Sequence, residues 1–368
     1  MRFTVQREYL LKALQMVSKA TPAKSELPIL QNVKMSLNVR GLELTGSDNN
    51  MAIRTTVPYM VGEVELIKNY QPGETLVQCK LLTEIVRRSE SEYINFELVD
   101  NSILKISYGE TTAKPNTIRA EEYPDIDLSA NGASIDIKSS ELTKLVEQTA
   151  FAASTKETRP ILSAVNLEAR DGLLTATATD TARLAKKTID IDSNVSFNAN
   201  IPARKLLDIV HSIEGEENVN IAISDNKAIF TFGNTVIYTR LINGDYPNTK
   251  NIVPKTFNYF LEVNAKEFLN AMDRISLFDN VIKMTLEEDS VELLSRSSIA
   301  GSANVKLQTF QFSGERLDIS FNSTFVADAI RAIGSEDVTL SFIGEMKPFV
   351  VKNVKDDSID MLVTPLRA

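Results

Sequence analysis

The side chains that most often perform catalysis or hold metal ions are scarce in this chain. It contains one histidine, His211, and one cysteine, Cys79. A zinc site of the His-Glu-x-x-His type needs two histidines and a Cys-x-x-Cys pair needs two cysteines, so neither can form. The 14 glycines stand singly and form no phosphate-binding loop. We therefore expect no metal, no cofactor and no catalytic site, with His211 on the surface of a helix or at its end.

Two aspartates are the best remaining candidates for chemistry. Asp48 in TGSDNNMAI and Asp180 in TATDTARLA occupy equivalent places in similar segments. An Asp that follows a strand usually accepts hydrogen bonds from backbone N–H groups in a turn. We favour that role for both residues, although counting carboxylates alone leaves a paired acid–base site open.

The spacing of these aspartates belongs to an internal repeat. LPIL at Leu27 and RPIL at Arg159 are 132 residues apart, as are the two aspartates. Tyr123-Pro124 and Tyr246-Pro247 recur 123 residues apart, each after a β-rich run. Fixed offsets of this kind predict duplicated structural modules.

Each third of the chain has the same predicted elements. An extended segment leads into an amphipathic helix, strands follow, and a second helix precedes a strand pair. The first helices are predicted at 7–20, 138–151 and 264–277, and the second ones at 78–90, 203–214 and 322–334. Asp100-Asn101 and Asp225-Asn226 are predicted hairpin turns with left-handed backbone. This pattern predicts an α+β fold of three modules with antiparallel sheets, at 1–127, 128–254 and 255–368.

The composition is that of a globular protein with two or three domains. Of the 368 residues, 43% are hydrophobic and 24% are charged. The N-terminus is interrupted by charges and lacks the apolar run of a signal peptide, and no window approaches the roughly eighteen apolar residues of a membrane-spanning helix. Because a lone cysteine cannot form an internal disulfide, a reducing compartment fits best. The sequence thus predicts a cytoplasmic protein.

The net charge of −9 hides an uneven distribution. The predicted helices carry more Lys and Arg than Asp and Glu, whereas the rest of the chain is strongly acidic. Phosphate groups respond to local charge rather than to net charge. The contrast suits helices that face a nucleic-acid backbone, although Lys and Arg also mark ordinary solvated helix faces.

Seven segments, in order and with matching spacing over essentially the whole chain, resemble the bacterial DNA polymerase III β subunits, the sliding clamps. They are MRFTVQREYLLKALQMVSKA, LPIL, TGSDNNMAI, RPIL, TATDTARLA, GDYPN and MLVTPLR. The resemblance implies three clamp domains and a head-to-tail homodimer that closes into a ring. It implies a non-catalytic processivity factor that encircles double-stranded DNA and tethers the replicative polymerase α subunit. Further implied partners are the clamp loader, other polymerases and repair proteins, bound through short peptide motifs.

The family's partner site is a hydrophobic pocket between the second and third domains. Carried over to this chain, the resemblance assigns to the pocket Leu162, Thr179, Thr181, Arg183, Leu184, Pro247, Ile252, Asn322, Phe325, Met346, Pro348, Leu362, Thr364, Pro365, Leu366 and Arg367. The apolar members would anchor a peptide, and Arg183 or Arg367 would hold a carbonyl or an acidic group.

The chain departs from the family pattern at several pocket positions. Thr181 and Ala182 stand where the family's T-D-G-H-R-L run has glycine and histidine, and Asn251 stands at a position that is usually charged. Thr364 and Leu366 replace the methionines that commonly flank the near-terminal proline. These departures bear on peptide preference.

The DNA contacts of the family come from basic residues on helices and their loops. The matching positions here are Lys24, Lys80, Lys156, Arg204 and Lys205, and helix position alone adds Arg87, Arg88 and Arg274.

Three classes of function stay open at the level of the sequence. A clamp would be retained on circular DNA and lost from linear DNA. An enzyme would turn over a small molecule and lose activity on one carboxylate change, such as Asp180→Asn. A repeat scaffold would bind protein partners without any dependence on DNA.

Overall fold

A computed structural model describes residues 1–156, 158–353 and 355–367. The chain forms two compact units that do not follow the order of the sequence. Unit 1 comprises Met1–Ser139 and His211–Leu241, and unit 2 comprises Ser140–Val210 and Ile242–Ala368. The middle third of the sequence is therefore shared between the two units.

The elements recur in the same order in each third of the chain. The first repeat contains β1 (Arg2–Gln6), α1 (Arg7–Ser18), β2 (Asn32–Asn38), β3 (Gly41–Ser47), β4 (Met51–Val57), β5 (Met60–Val61), β6 (Val64–Glu65), β7 (Ile67–Gln71), β8 (Gly73–Gln78), α2 (Cys79–Arg88), β9 (Tyr93–Val99), β10 (Ile103–Tyr108) and β11 (Thr111–Ala113). The second contains β12 (Ala133–Lys138), α3 (Ser139–Ala150), β13 (Ala164–Arg170), β14 (Leu173–Thr179), β15 (Arg183–Asp190), β16 (Phe197–Pro202), α4 (Ala203–Val210), β17 (Asn218–Ile223), β18 (Lys227–Phe232) and β19 (Thr235–Arg240). The third contains β20 (Tyr259–Asn264), α5 (Ala265–Ile275), β21 (Val281–Glu287), β22 (Ser290–Ser297), β23 (Gly301–Lys306), β24 (Phe310–Ser313), β25 (Leu317–Asn322), α6 (Ser323–Ile333), β26 (Asp337–Phe342), β27 (Phe349–Lys352) and β28 (Ile359–Val363).

Unit 1 is built on an antiparallel sheet of eight strands in the order β12-β17-β18-β19-β4-β3-β2-β8. The repeats meet inside this sheet, where β4 pairs with β19 and Ile53 lies opposite Ile237. A five-stranded sheet, β11-β10-β9-β1-β7, and the β5–β6 hairpin complete the unit. Helix α1 packs against α2, β3 and β4, and buries Leu10, Leu14 and Val17 at helical spacing.

Unit 2 is built on an antiparallel sheet of nine strands, β16-β13-β14-β15-β28-β27-β26-β20-β24. Its repeats meet in the same way, where β15 pairs with β28 and Ala185 lies opposite Met361. A separate four-stranded sheet, β23-β22-β21-β25, completes the unit. Helix α5 packs against α6 and buries Phe268 and Ile275. Burial of one such side chain contributes roughly 2–3 kcal/mol.

The helices are shorter than the periodicity predicts. The predicted second helix of the middle repeat runs to 214, but α4 ends at Val210, and His211 lies in the turn that follows. The His211 carbonyl accepts a hydrogen bond from Lys19 Nζ at 3.4 Å, and Gly215 turns the chain with a φ of 75°. The placement of His211 on the helix itself was therefore wrong, whereas a place at the helix end fits.

The two predicted hairpin turns differ. Asp100 and Asn101 both have positive φ, 49° and 52°, as a tight left-handed turn requires. Asp225 and Asn226, which the structure also describes, do not have positive φ, so that part of the prediction was wrong. There the turn is closed instead by Ser224, whose backbone N–H donates to the Lys227 carbonyl at 3.0 Å.

The predicted fold class, α+β with three repeated modules of two helices and antiparallel strands, is confirmed. The module limits at 127/128 and 254/255 remain a prediction, because the packing groups the strands of neighbouring repeats together. Within the described residues, no helix combines the length and the apolar character that a membrane crossing requires.

Candidate functional site

Two residues predicted for the pocket lie in a buried apolar cluster, at the point where two strands of different repeats pair. Leu184 of β15 lies opposite Leu362 of β28, and Leu362 lies opposite Val350 of β27. These three side chains are buried together, and Val253 and Phe257 pack against them. Strand pairing thus brings two predicted pocket residues into contact and adds three apolar neighbours that the sequence did not single out.

The wall of the site is a tight turn between β14 and β15. Asp180 Oδ1 accepts from the backbone N–H groups of Ala182 and Arg183 at 2.9 and 3.0 Å. Thr179 Oγ1 accepts from Thr181 N–H at 3.1 Å and donates to the Arg183 carbonyl at 2.6 Å. The predicted turn-forming role of Asp180 is confirmed by these bonds.

Tyr246 fixes this turn from the segment that precedes the third repeat. Its hydroxyl oxygen accepts a hydrogen bond from Thr179 N–H at 3.0 Å. Burial raises the pKa of Tyr246 to about 12, so the phenol stays neutral. The recurrence of Tyr-Pro in the sequence was the signal that could have identified Tyr246 as part of the site.

Arg183 is held by carboxylates and aromatic rings of its own unit. Its Nε lies 3.0 Å from Asp180 Oδ2 and its Nη1 lies 2.7 Å from Asp328 Oδ2 on α6. Its guanidinium lies over the Phe325 ring at 4.6 Å and over the Phe151 ring at 5.5 Å. These partners link β15 to α6. They also compensate the positive charge of Arg183, to which the family resemblance assigned the binding of a carbonyl or an acidic group.

The end of the chain crosses the site. Both the N–H and the hydroxyl of Thr364 donate to the Ala182 carbonyl at 2.9 Å. Two residues later, Leu366 N–H donates to the Ser320 carbonyl at 2.7 Å. Leu366 and Arg367 then line a cavity of about 800 Å³ together with Met346.

The predicted pocket residues range from buried to exposed. The buried ones are Leu162, Thr179, Leu184 and Leu362. The partly buried ones are Arg183, Asn322, Phe325, Pro348, Thr364, Pro365 and Leu366. The exposed ones are Thr181, Pro247, Ile252, Met346 and Arg367. Leu162, Pro247, Ile252, Asn322, Pro348 and Pro365 take part in none of the contacts described above. The assignment of the whole set to one pocket stays a prediction.

The predicted DNA-contact residues fall at repeated positions. Lys24 and Lys156 follow α1 and α3 and are 132 residues apart, and Lys80 and Arg204 are the second residues of α2 and α4. All four are exposed. Lys80 also lines a groove of about 270 Å³ at the start of α2. The equivalent second residue of α6 is neutral.

The four remaining residues predicted to contact DNA differ from one another in exposure and in their contacts. Arg87 and Arg88 lie at the exposed end of α2 and share Glu84, whose Oε2 is 2.6 and 3.4 Å from their guanidinium nitrogens. The hydrogen bond from Arg87 holds the pKa of Glu84 below its ordinary value. Arg274 is exposed on α5 and donates to the Asn270 carbonyl, and Lys205 is partly buried on α4.

Asp48 and Cys79, which the sequence offered as candidates for chemistry, have structural roles. Asp48 Oδ1 accepts from Asn50 and Met51 N–H groups at 3.0 and 2.7 Å, the turn role that the sequence predicts. Cys79 is buried, which raises the pKa of its thiol. In the part of the chain that the structure describes, no group of three His, Cys, Asp or Glu side chains could hold a metal ion.

Models of a single family match consecutive parts of the chain. The N-terminal domain of the DNA polymerase III beta subunit matches residues 1–127, the central domain matches 136–248, and the C-terminal domain matches 250–367. The chain belongs to the DNA polymerase III beta subunit family. Membership confirms the function inferred from the sequence, that of a DNA sliding clamp, and the expectation that the chain is a processivity factor and not an enzyme.

Relatives of this family agree over their full length. The beta sliding clamp of Bacillus subtilis is 33% identical and that of Halalkalibacterium halodurans is 32% identical, each with complete coverage of both chains. The crystal structure of the DNA polymerase sliding clamp from Bacillus subtilis superimposes with a TM-score of 0.95 at 32% identity, covering 100% of this chain and 99% of that one. The beta chain of DNA polymerase III from Streptococcus pneumoniae also gives 0.95, at 28% identity and complete coverage.

Proposed function

We propose that this chain works as a head-to-tail homodimeric ring that encloses double-stranded DNA in the cytoplasm and tethers the replicative polymerase to it. The observation that carries the proposal is a pair of open sheet edges, one at each end of the series of repeats. The ring holds DNA by closure, so tight phosphate contacts are not needed.

The two junctions between repeats follow one rule. In each repeat, the first three strands after the first helix form one set, and the three strands after the second helix form another. The last strand of the first set pairs antiparallel with the last strand of the second set of the next repeat: β4 pairs with β19, and β15 pairs with β28. Two strands that occupy these junction positions lack that partner. In the described residues, β11 pairs only with β10 and β23 pairs only with β22.

A second copy of the chain supplies the missing partners. If β23 of one copy pairs with β11 of the other, the four-stranded and five-stranded sheets join into one of nine strands, the size of the sheet in unit 2. The pairing joins a third repeat to a first repeat and is therefore head to tail, and two such contacts close the assembly. It also covers edges that would otherwise invite aggregation.

An exposed apolar side chain lies close to one of these edges. Leu277 is 83% exposed and follows α5, the helix that packs against β22 and β23. A leucine so exposed beside an open edge favours a protein contact there. The second copy would bury it.

The basic residues support a diffuse contact with DNA. Lys24, Lys80, Lys156 and Arg204 recur at equivalent exposed positions of two repeats, so the same charge is presented more than once. Contacts to phosphates position a protein without reading sequence, and several weak ones permit sliding. Arg87, Arg88, Lys205 and Arg274 would add to this surface.

The pocket supports the capture of short peptides. Leu184, Leu362 and Val350 form a buried apolar cluster, and the partly buried Val253 and Phe257 that pack against it offer apolar contact to a ligand. The exposed Met346 adapts to varied ligands. We assign to it the replicative polymerase α subunit, the clamp loader, and other polymerases and repair proteins that carry a short motif. The full set of pocket residues named from the sequence belongs to this assignment.

Retention on DNA tests the ring directly. The protein is bound to nicked circular DNA with a clamp loader, and its release is followed by gel filtration before and after linearisation. We expect retention on the circle and loss from the linear form, since only closure holds the DNA. A protein that leaves both forms at the same rate would overturn the proposal.

Variants at the open edge test how the ring closes. Leu277→Asp should shift the protein from dimer to monomer in sedimentation and abolish retention on circles. Val39→Asp changes a residue that is 94% exposed in the β2–β3 turn and should leave both properties unchanged. A dimer that withstands Leu277→Asp would place the interface elsewhere.

A further inference from the structure

The largest cavity described above extends well beyond the predicted pocket. Besides Met346, Leu366 and Arg367, the cavity of about 800 Å³ is lined by residues of β21, β22 and β25. These strands belong to the four-stranded sheet of unit 2. None of the residues that they contribute was assigned to the pocket from the sequence.

Strand register shows that the extension is one continuous face. Val281 of β21 lies opposite Asn322 of β25, a predicted pocket residue. One step along, Leu294 lies opposite Lys283, and Lys283 lies opposite Ser320. Residues directly opposite each other point to the same side of a sheet, so these rows lead from the pocket across the solvent face.

The charges on this face are not balanced. Lys283 lies 3.5 Å from Asp318, and Arg316 lies 3.6 Å from the same carboxylate. The Thr285 hydroxyl donates to Asp318 at 2.6 Å and, with these cations, holds the pKa of Asp318 below its ordinary value. The negative charge of Asp318 is therefore already compensated.

Two further cations line the cavity without such a partner. Arg296 at the end of β22 is exposed, and so is Arg367. Neither forms an ion pair with a described residue, and the remaining acid of the lining is the exposed Glu345. The face therefore has a cationic excess around an apolar strip of Val281 and Leu294, although the chain as a whole is acidic.

We propose that this face is an extension of the peptide site, which binds an acidic flank of the same partner peptide whose apolar motif fills the pocket. The inference rests on the proposed peptide-binding function. Arg296 would pair with a carboxylate of the flank, and Leu294 would contact an apolar side chain beside it. Exposed charge pairs of this kind change affinity by a few fold and weaken with salt.

Two pairs of labelled peptides test the inference. All four carry the same apolar motif, Leu-Leu-Phe. In each pair the four-residue flank is Asp-Glu-Asp-Glu in one peptide and Asn-Gln-Asn-Gln in the other, and the flank precedes the motif in the first series and follows it in the second. Fluorescence anisotropy against the full-length protein should show about three- to tenfold tighter binding of the acidic peptide in one series, and the difference should shrink at high salt.

Variants locate the effect. Arg296→Gln should remove most of the preference for the acidic flank and leave the amide peptide unchanged, while Arg170→Gln, at the exposed end of β13, should change neither. Equal binding of both peptides to the wild-type protein would overturn the extension while leaving the pocket intact. Failure of every peptide to bind would instead count against the proposed pocket. Displacement of the acidic peptide by a single-stranded oligonucleotide would assign the cations to nucleic acid and overturn the inference.

Discussion

The turn between β3 and β4 in unit 1 and the turn between β14 and β15 in unit 2 have the same backbone and different roles. In both, an aspartate accepts from two backbone N–H groups, and a hydroxyl of the preceding residue accepts from a third. The residue after the aspartate has positive φ in each, 76° at Asn49 and 81° at Thr181. The two turns thus share one backbone conformation, although the side chains around them differ.

The difference lies in the residue that begins the next strand. In unit 1 this residue is Met51, which is fully buried, and in unit 2 it is Arg183, which reaches Asp328 and the ring of Phe325. One turn therefore closes a core, and the other borders the proposed peptide site. Duplication supplied the turn twice, and one side chain determines what it does.

The largest effect expected from this comparison is in the turn that closes a core. Met51→Ala should lower the free energy of unfolding by about 3 kcal/mol, because it removes buried apolar contacts and leaves a cavity. Urea denaturation measures the change, with Val39→Ala as the exposed control. A loss below about 1 kcal/mol would mean that Met51 is not a core residue in solution.

A smaller effect is expected in the turn that borders the proposed peptide site. Arg183→Met, which installs the residue of the other turn, should cost about 2 kcal/mol, since Asp180 and Asp328 lose a partly buried cation. The partial exposure of both carboxylates keeps the cost below that of a fully buried pair. Urea denaturation again provides the measurement, and Arg183→Lys should recover part of the loss. An unchanged stability would show that the ion pairs contribute nothing.

The smallest effect concerns the shared left-handed residue, and it has the opposite sign. A β-branched residue at φ 81° is strained, and Thr181 is exposed, so Thr181→Gly should raise the free energy of unfolding by about 0.5–1 kcal/mol. Asn49→Gly should change it by a few tenths at most, because asparagine tolerates this conformation. A loss of stability in Thr181→Gly would contradict the strain.

Local features of the architecture were readable from the sequence. Apolar spacing predicted the six α-helices of the described residues, and their observed limits lie within four residues of the prediction. The turn roles of Asp48 and Asp180 followed from their position after a strand. These properties depend on residues a few positions apart, which is why a sequence displays them.

Tertiary structure alone decided how those elements combine. The pairing of β15 with β28 joins residues about 180 positions apart. Arg183 contacts Asp328 on α6 and Phe151, which follows α3, so its partners come from two different helical regions. Nothing in the periodicity of a strand states which other strand it will meet, because any exposed edge presents the same backbone groups. The sequence by itself therefore determined the repeated parts, and its resemblance to the family assigned the second copy of the turn to the proposed peptide site. Packing determined which distant side chains surround each copy.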